Sequence, residues 1–352
     1  MYRIINIMLG CGLGGIERSS IDYAESLQNA GCDVLFITDP NAEINASLNH
    51  SEYALTHLKQ LGAWDIMAGK RLNQIAQRFE ADFIITHGNR ALQIAAKAKQ
   101  GSKATNAPII ATCHNYNMQH AQLADGAFCI TNHMLHHLRT THPIFAAHNS
   151  FHVPNMLPKS AKYSEKHWHN PFRIGAIGRM VEKKGFAVLI KAMARLKDKL
   201  ADTIPFELWI AGDGEEKPKL EKITKELGLE NIVKFYGWVE NPSDFYAQID
   251  VFCLPSLDEP FGIVLLEAMN AGLPIIATKT VGALEIITHN QTGILVEIGD
   301  AEAICTAIIN LIEPRKEAQN MGKCGYDDVH LNYGKQVIAT KIINSLGQFQ
   351  QK

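Results

Sequence analysis

The sequence predicts an α/β protein built as two Rossmann-like parallel-sheet domains, on three observations. Short apolar strands alternate with helical stretches through both halves of the chain, the order that yields parallel sheets with helices on both faces. Each half starts alike, with an apolar strand that runs into a glycine turn and then a helix: Ile4 to Leu9 before GCGLGG, and Phe172 to Ile177 before Gly178. Between the halves periodicity fails and Pro, Lys, Ser and His accumulate, which marks residues 153–171 as a linker.

The first domain, 1–152, justifies itself element by element. Its opening strand is followed by Gly10, Gly12, Gly14 and Gly15 and by a helix with apolar Ile16, Ile21, Ala24 and Leu27. Those glycines do not complete a dinucleotide fingerprint, so the loop is first of all a tight turn. Strand Cys32 to Thr38, an amphipathic stretch Trp64 to Phe79, strand Asp82 to His87 and helix Ala91 to Lys99 follow. Then come strands Ala107 to Cys113 and Gly126 to Thr131, helix His133 to Arg139 and strand Pro143 to Ala147. Ligands of parallel sheets bind beyond the carboxyl ends of the strands, which singles out His87 and His114. His133, His136 and His137 read as a solvated helix face, because no acid or cysteine joins them to make a metal site.

The second domain, 172–332, opens with its strand, Arg179, a loop carrying Glu182, Lys183 and Lys184, and a helix after Gly185. Arg179 as a planar fork and Lys184 as a point charge are placed to grip a diphosphate, although any single lysine on such a turn is more often merely solvated. In strand Pro205 to Gly214 the small Gly212 lets a base or ribose come near the backbone. A charged helix Glu215 to Leu227 leads to NIVKFYGWV, whose backbone around Trp238 and Val239 is assigned to the nucleobase.

The most informative stretch is PSLDEPFGIVLLEAMNAGLPIIAT, residues 255–278. It reads strand end, acidic loop with Asp258 and Glu259, short helix from about Gly262, tight turn, strand. The helix is apolar nearly all round, so it is expected to lie inside the domain. Glu267 sits in its middle, and a buried carboxylate costs several kcal/mol unless partnered, so a polar partner or a ligand is implied. The N–H groups of Gly262, Ile263 and Val264 together with the helix dipole favour an anion such as a phosphate. Helices Ala301 to Ile312, Arg315 to His330 and Tyr333 to Leu346 close the chain.

Composition removes several classes. A formal net charge of −2 gives no bulk electrostatic case for nucleic acid. No apolar run approaches the roughly 20 residues of a membrane span, and MYRIINIMLG lacks a signal-peptide pattern. Seven scattered cysteines without a CxxC pair fit free thiols in a reducing, cytoplasmic setting. Lys97, Lys99 and Lys103 could touch an anionic membrane surface on its inner face, but a solvated turn is the plainer account.

Glu259 and Glu267, seven residues between them, with PFG after the first and AGLP closing the helix, resemble the signature of the retaining glycosyltransferases of family 4, which have the GT-B fold. GRMVEKKGFAVLIKA and Val153-Pro154-Asn155 add to the resemblance, although Met156 stands where the family has glycine. The resemblance implies two domains facing across a cleft, the acceptor side on 1–152, the donor side on 172–332, and a last helix, 333–352, that crosses back to the first domain. It implies a hexosyl-type transfer from a nucleoside diphosphate sugar to a hydroxyl of a glycan or lipid-linked acceptor in polysaccharide or lipopolysaccharide biosynthesis, with retention and without metal or cofactor. By the same resemblance Glu259 meets the sugar hydroxyls, Glu267 the ribose, Arg179 and Lys184 the diphosphate, and His114 the donor sugar. Gly14 and Gly15 allow close approach of the donor, and Gly212, Val239, Phe261, Gly262, Ile263 and Val264 complete its binding set. Two rivals are a sugar-nucleotide epimerase of the same architecture and a non-catalytic sugar-nucleotide-binding subunit. Keeping both glutamates with Arg179 and Lys184 argues against the second.

Overall fold

A computed structural model describes residues 1–12, 14–48, 53–100, 104–200 and 203–350. It divides into two units, Met1–Pro158 with Gly334–Lys352, and Lys159–Tyr333.

The first unit runs β1 (Arg3–Met8), α1 (Gly15–Asn29), β2 (Asp33–Thr38), β3 (Ala54–His57), α2 (Ile66–Phe79), β4 (Phe83–His87) and α3 (Gly88–Ala98). It continues with β5 (Ile109–Cys113), β6 (Gly126–Cys129), α4 (Asn132–Thr141) and β7 (Ser150–His152). The sheet order is β3-β2-β1-β4-β5-β6-β7, all parallel. The strands read as apolar runs because both faces are covered. Strand order reverses between β1 and β4, where Met8 pairs with His87, so the crevice that such sheets offer to ligands opens beside His87.

The second unit runs β8 (Phe172–Ile177), α5 (Phe186–Leu200), β9 (Phe206–Ala211), α6 (Lys217–Glu226), β10 (Val233–Gly237), α7 (Pro242–Ala247) and β11 (Val251–Leu254). It ends with α8 (Ile263–Asn270), β12 (Ile275–Thr278), α9 (Val281–Ile286), β13 (Ile294–Val296), α10 (Ala301–Ile312) and α11 (Arg315–Tyr333). Its parallel sheet has the order β10-β9-β8-β11-β12-β13 and reverses between β8 and β11. The loops leaving those two strands carry Arg179, Lys184 and Glu259.

The last helix, α12 (Lys335–Gln350), belongs to the first unit. Ile338, Ile342 and Leu346, one turn apart, are fully buried in that unit's core with Phe36, Phe83 and Phe128, each contributing about 1.5–3 kcal/mol of burial. At its start Lys335 Nζ lies 2.9 Å from Asp22 and 2.8 Å from Glu25 of α1.

Three expectations change. The stretch Pro143 to Ala147 is not a strand: turns occupy it, Asn149 Oδ1 accepting the Ala146 N–H at 2.7 Å, and pairing with β6 resumes only at Ser150. Residues 153–171 are no free linker. Val153 and Met156 are buried in the core of the first unit, whereas Lys166 donates to the Tyr246 carbonyl at 2.8 Å and His169 Nδ1 pairs with Asp250 at 2.9 Å in the second. Two of the three lysines considered for a membrane are engaged: Lys97 Nζ donates to the Ala63 carbonyl and Lys99 Nζ to Asp125, while Lys103 lies outside the described residues. All seven cysteines are free thiols, with Cys11 and Cys324 exposed. No helix among the described residues is long and apolar enough to cross a membrane.

Candidate active site

The residues of the second unit expected to bind a donor gather where the strand order of its sheet reverses. After β8 the chain turns through a single 3-10 turn, Glu182–Lys184, that Gly185 ends in a left-handed conformation at φ 67°. Lys184 Nζ donates to Glu259 Oε2 at 2.6 Å, with side chains only 17% and 11% exposed. A cation and an anion so little hydrated must be paired, and removing one partner leaves the other uncompensated.

Backbone contacts lock the two loops to one another. The Lys183 carbonyl accepts the Leu257 N–H at 2.7 Å, and a Cβ on Gly185 would lie 2.0 Å from the Pro255 carbonyl oxygen. Gly185→Ala is therefore expected to cost about 2–4 kcal/mol in a urea titration, since it adds both a clash and an unfavourable φ. An unchanged midpoint would mean that this contact does not hold the loops. On the other side of Glu259, its carbonyl accepts the Gly282 N–H at 3.0 Å, and a Cβ on Gly282 would lie 2.1 Å from the Phe261 carbonyl oxygen. Gly282 thus lets α9 close against the acidic loop.

α8 is less enclosed than its composition suggests. Leu265, Leu266, Ala268 and Met269 are buried, but Ile263, Val264, Glu267 and Asn270 form a partly open stripe, because this face is the one turned from the core. Gly262 caps the helix at φ 97°, a conformation that favours glycine, and so presents the first amides of α8. Phe261 points elsewhere, its ring buried against Tyr333 at 6.2 Å. The polar partner that Glu267 required is Tyr246, whose hydroxyl donates to Oε2 at 3.0 Å. Burial, reinforced by that carboxylate, pushes the Tyr246 hydroxyl far above the usual tyrosine range, so it stays a donor. Nothing in the sequence pairs Tyr246 with Glu267, which are 21 residues apart.

Three further residues expected at a donor lie in the same unit. Arg179 is exposed on the loop after β8. The space left by Gly212 is filled by protein, since a Cβ there would lie 2.0 Å from the Gly178 carbonyl oxygen, so this glycine serves the close packing of two strand-end loops. Val239 is half-buried, two residues beyond β10, beside Trp238, which is 76% exposed.

His114, Gly14 and Gly15 belong to the first unit. Gly14 caps α1, donating its N–H to Glu17 Oε2 at 3.1 Å, and open space surrounds the position a Cβ of Gly15 would take. His114 follows β5 and ends a buried chain of polar groups. Asn6 Nδ2 donates to the Ser20 carbonyl at 2.8 Å, which leaves Asn6 Oδ1 facing His87 Nε2 at 2.8 Å. A carbonyl can only accept, so the Asn6 amide has one orientation. His87 must then carry its proton on Nε2 and accept at Nδ1 from His114 Nε2, 3.0 Å away. In its neutral form His114 keeps the lone pair on Nδ1. Burial lowers the His87 pKa well below the usual histidine value and that of His114 to about 4, so both rings are neutral near pH 7. His114 borders a cavity of about 190 Å³ with Thr86, Asn89 and Thr112. The cavity lining carries no charged side chain, and the buried Thr112 hydroxyl makes no hydrogen bond.

Comparison with known proteins gives the family and the fold. Residues 160–328 match the family described as glycosyl transferases group 1, and residues 13–158 match the glycosyltransferase family 4 description. The chain is 25% identical over 343 residues to the lipopolysaccharide core biosynthesis glycosyltransferase LpsD of Rhizobium meliloti, covering 96% of this chain and 95% of that one. It is 33% identical over 171 residues to LpsE of the same organism, about half of each chain. Among solved structures, HepE of Anabaena in complex with UDP and glucose superposes with a TM-score of 0.80 at 20% identity over 99% of this chain and all of that one. A glycosyltransferase of Rickettsia africae superposes at 0.83 with 18% identity, covering 99% and 98%.

Proposed function

We propose, for a chain that belongs to the group 1, family 4 glycosyltransferases of GT-B fold, that it moves a sugar from a nucleoside diphosphate sugar to a hydroxyl of a glycan or lipid-linked glycan with retention at the anomeric carbon. The observation that carries this reading is the Lys184–Glu259 pair beside the amino end of α8, with Glu267 one turn into the helix. Lys184, Arg179 and the amides of Gly262 to Val264 bind the diphosphate and stabilise the charge that grows on it as the sugar C1–O bond breaks. The bond's electron pair leaves with the diphosphate. The acceptor oxygen then bonds to C1 on the same face, and its proton passes to a departing phosphate oxygen. Glu259 orients the sugar hydroxyls, Glu267 the ribose, and His114 accepts a hydrogen bond from a substrate hydroxyl at Nδ1. These groups supply the charge stabilisation without a metal ion or another cofactor. The lipopolysaccharide core biosynthesis names of two relatives support a bacterial surface glycan as acceptor, and on this reading the chain meets it at the inner face of the membrane.

The test is a panel of nucleotide sugars, led by UDP-sugars because HepE was solved with UDP. Thermal shift identifies the donor, and transfer to a glycan acceptor is followed with the product's anomeric configuration read by proton NMR. Inversion, or donor isomerised without any acceptor, would overturn the reading, as would loss of activity on chelation restored by metal. Within it, Glu267→Gln is expected to weaken nucleotide-sugar binding about tenfold by calorimetry at little cost in stability, because glutamine still accepts from Tyr246. Unchanged affinity with a large loss of stability would make Glu267 a structural residue.

A further inference from the structure

We propose that residues 59–71, the loop before α2 and the helix's first turns, form a docking face for an anionic lipid bilayer. Leu61, Trp64, Ile66 and Met67 are 73%, 69%, 57% and 58% exposed. Single exposed apolar residues need no explanation, but four large ones within seven positions do.

The face is built rather than loose. Asp65 organises it from below, itself buried, with Oδ1 accepting the Ala68 N–H at 2.9 Å and Oδ2 the Leu61 N–H at 3.1 Å. The Asp65 N–H closes a turn onto the Gly62 carbonyl, and Lys97 Nζ staples the Ala63 carbonyl to α3 at 2.7 Å. A Cβ on Gly62 would lie 2.7 Å from Trp64 Nε1, so the indole is seated on bare backbone. This much hydrogen bonding holds apolar side chains outward, where water gains nothing from them.

The charges around it choose the occupant. From Tyr53 to Phe79 the one acid is Asp65, committed to the cap, whereas Lys59, Lys70, Arg71 and Arg78 are all exposed. Exposed tryptophan and aliphatic side chains with exposed cations beside them in the chain are the combination that enters the headgroup region of a bilayer and attracts anionic lipid. A second copy of this chain would set the same four cations against themselves, which disfavours self-association through this face. The proposal deepens the lipid-linked acceptor reading and rests on it for its purpose.

Its test is independent of transfer. The full-length protein is co-sedimented with vesicles of phosphatidylcholine alone and of phosphatidylcholine with phosphatidylglycerol. Wild type is expected to bind the anionic vesicles at least about tenfold more tightly, less so in high salt. The triple variant Trp64→Ser, Ile66→Ser, Met67→Ser and the pair Lys70→Glu, Arg71→Glu are each expected to weaken that binding about tenfold or more. Both variants replace exposed side chains, so thermal melts and transfer to a water-soluble acceptor without vesicles stay at wild-type values. Equal vesicle binding by wild type and both variants overturns the proposal. So does a dimer seen by light scattering that the triple variant disperses, which would give the face to a second copy. A protein that binds anionic vesicles through this face yet transfers no sugar upholds the docking face and removes the transferase reading instead.

Discussion

Lys184→Ala is expected to lower turnover about 100-fold or more, the scale of losing one preorganised stabiliser of a leaving group. The side chain stands at the carboxyl end of the second sheet, little hydrated, where a positive charge acts on a diphosphate far more strongly than it would in water. The same substitution strands Glu259, 8% exposed, without its cation, at about 3–5 kcal/mol. The two consequences separate in the pair Lys184→Met with Glu259→Gln. That double variant removes both charges, so its melting temperature is expected to recover much of the loss while turnover stays low. Steady-state kinetics with denaturant titrations of both variants check this. Recovery of turnover along with stability would reduce Lys184 to a structural partner of Glu259.

His114→Ala is expected to lower turnover about 100-fold, the scale of losing one preorganised hydrogen-bonding group at the reacting centre. The chain from Ser20 through Asn6 and His87 makes the prediction sharper than a simple deletion, because it assigns the tautomer. Long-range nitrogen–proton NMR spectra at neutral pH are expected to show His114 protonated on Nε2 and bare on Nδ1; the opposite tautomer would break the chain. The pH dependence follows in sign. With a folded-state pKa near 4 against an ordinary value of 6.5, His114 binds fewer protons folded than unfolded between those values. Its contribution to stability is therefore complete above about pH 6.5 and falls as pH drops toward 4, with His87 acting in the same direction.

Sequence and structure divide the account of this protein in a way that particular residues make clear. The glycine turn after β1, the helix amides from Gly262, the spacing of Glu259 and Glu267 and the alternation of strands and helices are local. Each depends on backbone preference or on side-chain period within about ten residues, and so each is legible in the chain itself. The family resemblance rests on the same local motifs. One local inference failed, at Pro143 to Ala147, where an apolar composition suited a strand but the Asn149 side chain closed a turn instead.

What only the tertiary structure decided are partners brought together across the sheets. Lys184 and Glu259 are 75 residues apart, and Asn6 and His87 are 81 apart. The role of Gly212 likewise became packing against the Gly178 carbonyl, which no turn signal foretells. The open stripe on α8 also could not be inferred, because an apolar helix reveals its amount of hydrophobic surface but not which side its neighbours cover. The amino-acid order by itself determined the α/β class, the strand-end loops and the chemical types available at them. Pairing, protonation and exposure were settled by the fold alone, because they depend on distances and on access to water that a linear order of residues does not contain.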